Sequence, residues 1–408
     1  MSSTTPVSYR SVAPPIAPSA GTPGSYGEPA NDVQRLADPL GRFGLALLAR
    51  EAATHPAGNV VLSPASIADA LAMTLNGARG TTATEMQHAL ALDGIDLQRA
   101  DQAWADLITY MDQKKDAQIR VDNSLWLKQG YPFLPAFLAT DRDYFAADVT
   151  PLPADLSLAV KEINAWADER TGGRIPALLS QLDPSTVSVL VNTIYVKAGW
   201  VSPHLFDKAD TRLEPFTLAD GTKADVEMMH GQFATQVAET PEYDAVPIPA
   251  NGEVNVTVVV PKGDQTPESI VPLLEKRDLG SFQKHTTYAN VQLALPRFTA
   301  RFGDNLTQAL QGLGVTKAFS PDQADFSGMA TPKPLWIGEV VHQAVLDVNE
   351  EGVEAAAGTA VLMAGAGPPT NSITIRADRP FVVVLSVGVY PQVPLFVAIE
   401  RDPRDTGD

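Results

Sequence analysis

The chain has 408 residues, 44% of them hydrophobic and 19% charged, with 48 acidic against 30 basic side chains and a net charge of −18. That imbalance argues against a general nucleic-acid or anionic-membrane surface, and Lys114-Lys115, the densest basic pair, reads as a solvated face rather than a polyanion site. Cysteine is absent, which removes disulfides, thiolate metal ligands and a cysteine nucleophile while fitting cytosol and exterior alike.

Residues 1–30 are rich in Ser, Thr, Pro and Gly and lack the charged and apolar regions of a signal peptide, so a disordered leader is expected. No apolar run approaches the roughly 20 residues of a spanning helix, and a soluble protein is expected. Phe43, Leu47 and Leu48 carry helical spacing. Ser63-Pro64 should cap and open a second helix, with Ile67, Leu71 and Leu75 on one face and Gly77 at its end. Thr82 to Glu85 has capping-box spacing and should start a third. Val121–Lys128 alternates as a strand. Val160–Arg170 reads as a helix with Ile163 and Trp166 inward, stopped by Gly172-Gly173.

Strands then dominate. Ser188–Lys197, Val254–Val260 and Val291–Leu295 are predicted strands, Leu306–Leu313 a helix, and Trp336–Asn349 a long strand. Phe381–Val389 should pair with Leu395–Glu400 across Tyr390-Pro391-Gln392. Helices first and strands later, without βαβ alternation, predict an α+β fold in one domain over 31–403, followed by a short tail, 404–408.

The run from Glu350 to Ala360 is suited to two conformations. As a helix it carries two glycines, each costing roughly 1 kcal/mol against alanine. As a strand it lacks β-branched bulk, so it can lie exposed or slide between two other strands. By alternation from Val353, one face holds Val353, Ala355, Ala357, Thr359, Val361 and Met363, none of them charged; Glu354 lies on the other. Inserting about a dozen residues at roughly 0.5–1.5 kcal/mol per backbone hydrogen bond gives a total of the order of 10 kcal/mol, comparable with a domain's whole stability.

Several collinear motifs resemble the serpin family over nearly all of residues 31–403. They are Asn59–Ile67 with Ala70–Met73, Asn76–Thr82, Asn192–Trp200, Leu295–Phe298, Leu313–Val315, Ala324–Gly328 and Ile375–Leu385. Thr193 and Val196 stand where Ala and Phe are usual in the family. The resemblance implies three β-sheets, eight or nine helices and an exposed reactive loop at about 350–372. It also implies a single-use inhibitor: a target serine protease cleaves the loop, remains as an acyl-enzyme, and is trapped when the loop inserts as a new central strand. The partner is then that protease, held covalently by a monomer, with no cofactor, metal, nucleic acid or membrane.

Carried over residue by residue, the resemblance places the loop hinge at Glu350, Gly352, Val353, Glu354, Ala355, Ala356, Ala357, Gly358 and Thr359. Val353 and Gly358 replace the family's usual Thr and Ala. Family spacing puts the scissile bond at Ala366-Gly367, suited to elastase-like or subtilisin-like pockets, with Leu362 or Met363 as alternatives for a chymotrypsin-like one. Gly352–Ser372 has no Arg or Lys, which argues against trypsin-like targets. Ser63, Ser66, Asn192 and His342 map to a shutter beneath the central sheet, and Glu350 to a partner of Arg297 near Trp200, where insertion starts. A non-inhibitory member, acting as a substrate, binding or storage protein, is the alternative.

Catalysis finds little support. His55, His88, His204, His230, His285 and His342 include no His-Glu-x-x-His pair. Leu385-Ser386-Val387-Gly388 lacks the first glycine of a nucleophile elbow, and Gly312-Leu313-Gly314 lacks the third glycine of a dinucleotide loop.

Overall fold

The computed structural model describes residues 33–202, 204–277, 286–331, 335–353, 371–388 and 392–406. Helix α1 (Val33–Thr54) buries Phe43, Leu47 and Leu48, as their spacing predicts. Strand β1 (Val60–Leu62) leads into α2 (Pro64–Gly77). The α2 cap forms as expected: the Ser63 hydroxyl accepts from the Ser66 amide at 3.2 Å, with Pro64 in the first turn. Ile67, Leu71 and Leu75 are buried. Gly77 is the last residue of the helix, and a Cβ there would lie 1.8 Å from Met329 Cγ.

The capping box expected at Thr82–Glu85 does not form. Helix α3 (Gly80–Ala89) starts two residues earlier, and Arg79 at its N-cap contributes no side-chain bond. Within the helix, the Thr82 hydroxyl is free to accept from the Asp325 amide at 3.0 Å. The Glu85 carboxylate accepts from the amides of Thr316 and Lys317, each at 2.8 Å. The polar pair therefore tethers residues 316–325 rather than the helix end.

Helix α4 (Leu97–Asp112), β2 (Gln118–Lys128), α5 (Pro135–Phe145), β3 (Asp148–Leu152) and α6 (Leu156–Arg170) follow. Ile163 of α6 is fully buried and Trp166 half-buried, in a small hydrophobic cluster with Trp126 and Val191. That cluster covers one face of a six-stranded sheet ordered β10-β11-β12-β4-β2-β3, formed with β4 (Ser188–Gly199), β10 (Phe298–Asn305), β11 (Val341–Asn349) and β12 (Gly352–Val353). The strand expected from Trp336 starts only at Val341. Upstream, Ile337 donates to the Ala318 carbonyl, Val340 donates to Thr307 Oγ1 and Leu306 donates to the Val340 carbonyl, which binds 337–340 to the segment around α8 (Thr307–Gly312) instead.

Nine further strands run β1-β15-β14-β8-β7-β6-β9-β13, with β5 on β6. They are β5 (Arg212–Thr217), β6 (Lys223–Glu239), β7 (Tyr243–Ala250), β8 (Val254–Pro261), β9 (Thr287–Pro296), β13 (Ser372–Arg376), β14 (Phe381–Val387) and β15 (Val393–Glu400); α7 (Pro267–Arg277) lies between β8 and β9. Two of the three expected sheets are thus joined, because β6 is 17 residues long: Met228 to Val237 pairs with β9 and its end, Ala238-Glu239, with β7. The predicted β14–β15 pairing is present and antiparallel, Val383 opposite Ala398, and both strands are buried throughout. The main core, contiguous from α1 to β15, lies between the two sheets.

Candidate functional site

The sequence run beginning at Glu350 enters the six-stranded sheet at its centre. Gly352 pairs with Asn349 of β11 and with Gly199 of β4; Val353 pairs with Val348 and Ala198. Because β12 is antiparallel to both neighbours, β4 and β11 are parallel to each other, and among the described residues no pairing joins them directly. At Gly352 and Val353 they border a lane one strand wide. Below it opens a cavity of about 960 Å³, lined in part by Ser66, Leu190, Asn192, Val341 and His342.

Val353 is 3% exposed between Val348 and Ala198, so it faces inward as its alternation predicts. Gly352 has φ +145°, and a Cβ there would lie 2.2 Å from the Ala198 carbonyl oxygen. Only glycine lets the chain turn into the lane. Glu354, Ala355, Ala356, Ala357, Gly358 and Thr359, and the proposed bond Ala366-Gly367, lie outside the described residues.

Above the lane, Glu350 and Arg297 meet as the sequence suggested. Arg297 donates through Nη2 to Glu350 Oε1 at 2.6 Å and through Nε to Oε2 at 3.1 Å, and the Thr211 hydroxyl donates to Oε1 at 2.6 Å. Burial pushes the Glu350 carboxyl up, but the bonds from Arg297 and Thr211 outweigh it and hold the group below the usual carboxylate range. Arg297 also meets Glu227 at 2.8 Å. Trp200 stands beside them, its indole donating to the Asn349 carbonyl at 2.9 Å. Thr211, supplied by a loop, was not found from sequence; a lone threonine before β5 gives no local signal.

The four residues assigned to one shutter form two clusters. The Ser63 amide donates to His342 Nε2 at 3.1 Å, and the Ser63 hydroxyl donates to the Leu395 carbonyl at 2.7 Å. His342 is therefore neutral with its proton on Nδ1, and burial pushes its pKa down to about 3. Asn192 is instead turned to Asp69: its amide donates to Asp69 Oδ2 at 2.7 Å and to Asn123 Oδ1 at 2.7 Å, while Asn123 donates to the same Asp69 oxygen at 2.8 Å. Among the described residues Asn192 Oδ1 is buried without a partner. Asp69 was missed because a lone aspartate on an apolar helix resembles a solvated one until the helix is seen to be buried.

Asp69 belongs to a buried acidic group with Asp101 of α4 and Asp141 of α5. Burial lifts Asp69 to about 7, against the two asparagine amides, and Asp101 to about 6, against the Asn76 amide. Asp141 rises to about 8 through burial first and then the charges of Asp101 and Asp69; both of its carboxylate oxygens lack partners among the described residues. An unfolded aspartate titrates near 3.9. Between about pH 4 and 6 the folded chain therefore holds three protons here that the unfolded chain has lost. Over that range buried His342 lacks one proton that the unfolded chain holds. The net sign makes stability fall as pH rises, by roughly 2–3 kcal/mol per unit from these four groups up to pH 6 and more gently to pH 8. Thermal melts should give a higher midpoint at pH 5 than at pH 8, and Asp141→Asn should shrink the difference. A midpoint climbing steadily from pH 5 to pH 8 would contradict this account.

Comparison with known proteins extends these local agreements along the chain. A family model described as "Serpin (serine protease inhibitor)" matches residues 39–398. The leukocyte elastase inhibitor of Bos taurus is 34% identical over 360 residues, covering 84% of this chain and 92% of that protein. The thermophilic serpin Tengpin in its native state superposes with a TM-score of 0.79 at 26% identity, over 96% of this chain and 97% of its own. Thyroxine-binding globulin in complex with thyroxine gives a TM-score of 0.80 at 26% identity, over 90% and 99%. Since the motifs, the α+β architecture and similarity over most of the sequence all agree, the chain belongs to the serpin family.

Proposed function

We propose that this serpin is an irreversible, single-use inhibitor of serine proteases. The protease serine attacks the Ala366 carbonyl and the Gly367 amine departs with a proton, leaving the acyl-enzyme. The freed loop then fills the lane between β4 and β11 and carries the protease with it. One observation carries this reading: Gly352 and Val353 already occupy the head of that lane, paired on both sides.

Continuing their register supports it further. Ala355 would fall opposite Leu346 and Val196, Ala357 opposite Ala344 and Ile194, and Thr359 opposite His342 and Asn192. The small residues thus meet the buried apolar positions of both strands. The one hydroxyl among them would arrive beside Asn192 Oδ1, which lacks a donor among the described residues. On this reading Glu350 with Arg297 and Trp200 fixes the base of the loop, while Ser63, Ser66, Asn192 and His342 border the space that must fill. Ala366 suits a shallow primary pocket, elastase-like or subtilisin-like, and the likeness to a leukocyte elastase inhibitor points the same way. The inhibitor acts as a monomer, with residues 1–30 outside the folded domain. The likeness to thyroxine-binding globulin favours the alternative, a non-inhibitory binding protein.

Incubation with elastase or subtilisin decides between them. The expected product is an equimolar complex surviving SDS, with a C-terminal fragment, freed by the denaturant, whose sequence begins at Gly367. Chain nicked by a protease that is not retained should melt higher than intact chain, because insertion adds of the order of 10 kcal/mol. Clean cleavage with no complex and an unmoved midpoint would leave the binding-protein reading.

A further inference from the structure

At the opposite end of β10 from Arg297, the end of α1 meets the sheet through three side chains with no role in loop insertion. Glu51, His55 and Asp304 each place one donor atom within 4.8 Å of the other two. We propose that they bind a divalent transition-metal ion of the Zn²⁺ type, which ties the end of α1 to β10.

The geometry is that of a ligand set more than of an ion pair. His55 Nε2 lies 3.3 Å from Asp304 Oδ2, close to the roughly 3.3 Å separating two ligands held about 2.0–2.1 Å from a tetrahedral ion. The other ring nitrogen, Nδ1, is engaged by the Glu51 carbonyl at 3.1 Å and the Thr54 hydroxyl at 3.0 Å. A proton on Nδ1 donated to that carbonyl leaves the Nε2 lone pair facing Asp304, the arrangement by which backbone carbonyls orient metal-bound imidazoles. Phe302 packs edge-on against the ring at 5.1 Å and fixes its plane.

Glu51 supplies the second, more deeply buried carboxylate of the group. Its side chain is only 5% exposed, yet among the described residues its carboxylate has one polar contact, His55 Nδ1 at 3.6 Å, beyond hydrogen-bond reach. Two carboxylates around one imidazole leave the pocket net negative whether or not the ring is protonated, and a divalent ion balances them. His55 and Asp304, each 38% exposed, leave a solvent side from which water completes four-coordination. An imidazole with two carboxylates suits zinc and its first-row neighbours. Glu51 and His55 are one helical turn apart and legible in sequence; Asp304 reaches them only through the fold.

Calorimetric titration of the metal-stripped full-length protein with ZnCl₂ at neutral pH tests the site. One equivalent should bind, and the thermal midpoint should rise with added Zn²⁺. His55→Gln and Asp304→Asn should each weaken binding by at least about tenfold and remove the thermal shift. His88→Gln, at an exposed histidine beside Asp93, should change neither. The two ligand variants are at partly exposed positions, and an unchanged circular dichroism spectrum establishes that each is folded. No saturable binding to wild type, or full binding by both ligand variants, overturns the proposal.

Discussion

Ala355→Glu should abolish covalent trapping while leaving the loop fully cleavable. On the proposed insertion, the register of Gly352 and Val353 would carry residue 355 to the buried face, between Leu346 and Val196, which are 1% and 6% exposed. A carboxylate there would have no partner, and burying an unpaired ion costs several kcal/mol. That is a large share of the roughly 10 kcal/mol insertion can supply, and it falls early in the process. Slower insertion gives hydrolysis of the acyl-enzyme time to win. The measurement is the fraction of chain in SDS-resistant complex against the fraction cleaved, with elastase as protease. Glu354→Ala, on the outward face, should trap normally. Equal trapping by Ala355→Glu and wild type would mean the loop does not continue the β12 register.

Arg297→Met should lower the stability of the intact chain by about 3 kcal/mol, the lower end for breaking a buried ion pair, because the arginine side chain is 37% exposed while Glu350 is 2% exposed. Among the described residues Glu350 would keep only Thr211 as a side-chain hydrogen-bond partner. Its depressed pKa should then rise, so that its contribution, now present above pH 4.5 and lost in acid, reverses sign. Glu350→Gln in the same background should recover much of the loss, since an amide leaves no buried charge. Denaturant midpoints for the two single variants and the double variant complete a cycle. A single variant within 0.5 kcal/mol of wild type, about the scatter of ordinary surface changes, would rule out a structural clamp.

What could be read beforehand followed from strong local chemistry. Ser63-Pro64 fixes the start of α2, and the valine-rich runs of β8 and β14 read as buried strands. Strand β7 was not legible: Pro247 and Pro249 argue against a strand, yet only its first residues pair with β6, so the prolines lie where one edge needs no donors. Capping at Thr82 was misread because position 80 already starts the helix and the hydroxyl had a distant acceptor role. At the candidate site, Glu350, Arg297 and Trp200 were grouped by the family resemblance, not by any local signal. The division of Ser63–His342 from Asn192–Asp69 was not legible, because it depends on β11 and β4 being separated by β12 rather than paired directly. Sequence alternation gives the face of a residue but not whether its neighbour across the sheet is one strand away or two.

The depth at which β14 and β15 are held has a practical corollary. Every residue of both strands is buried, and β15 is flanked by β1 and β14. A cut at Ala366-Gly367 would therefore sever the polypeptide without releasing the piece downstream, which stays woven into the interior as a non-covalent subunit. Gel filtration would report one undivided particle, and only a denaturing gel or a mass spectrum would reveal two chains.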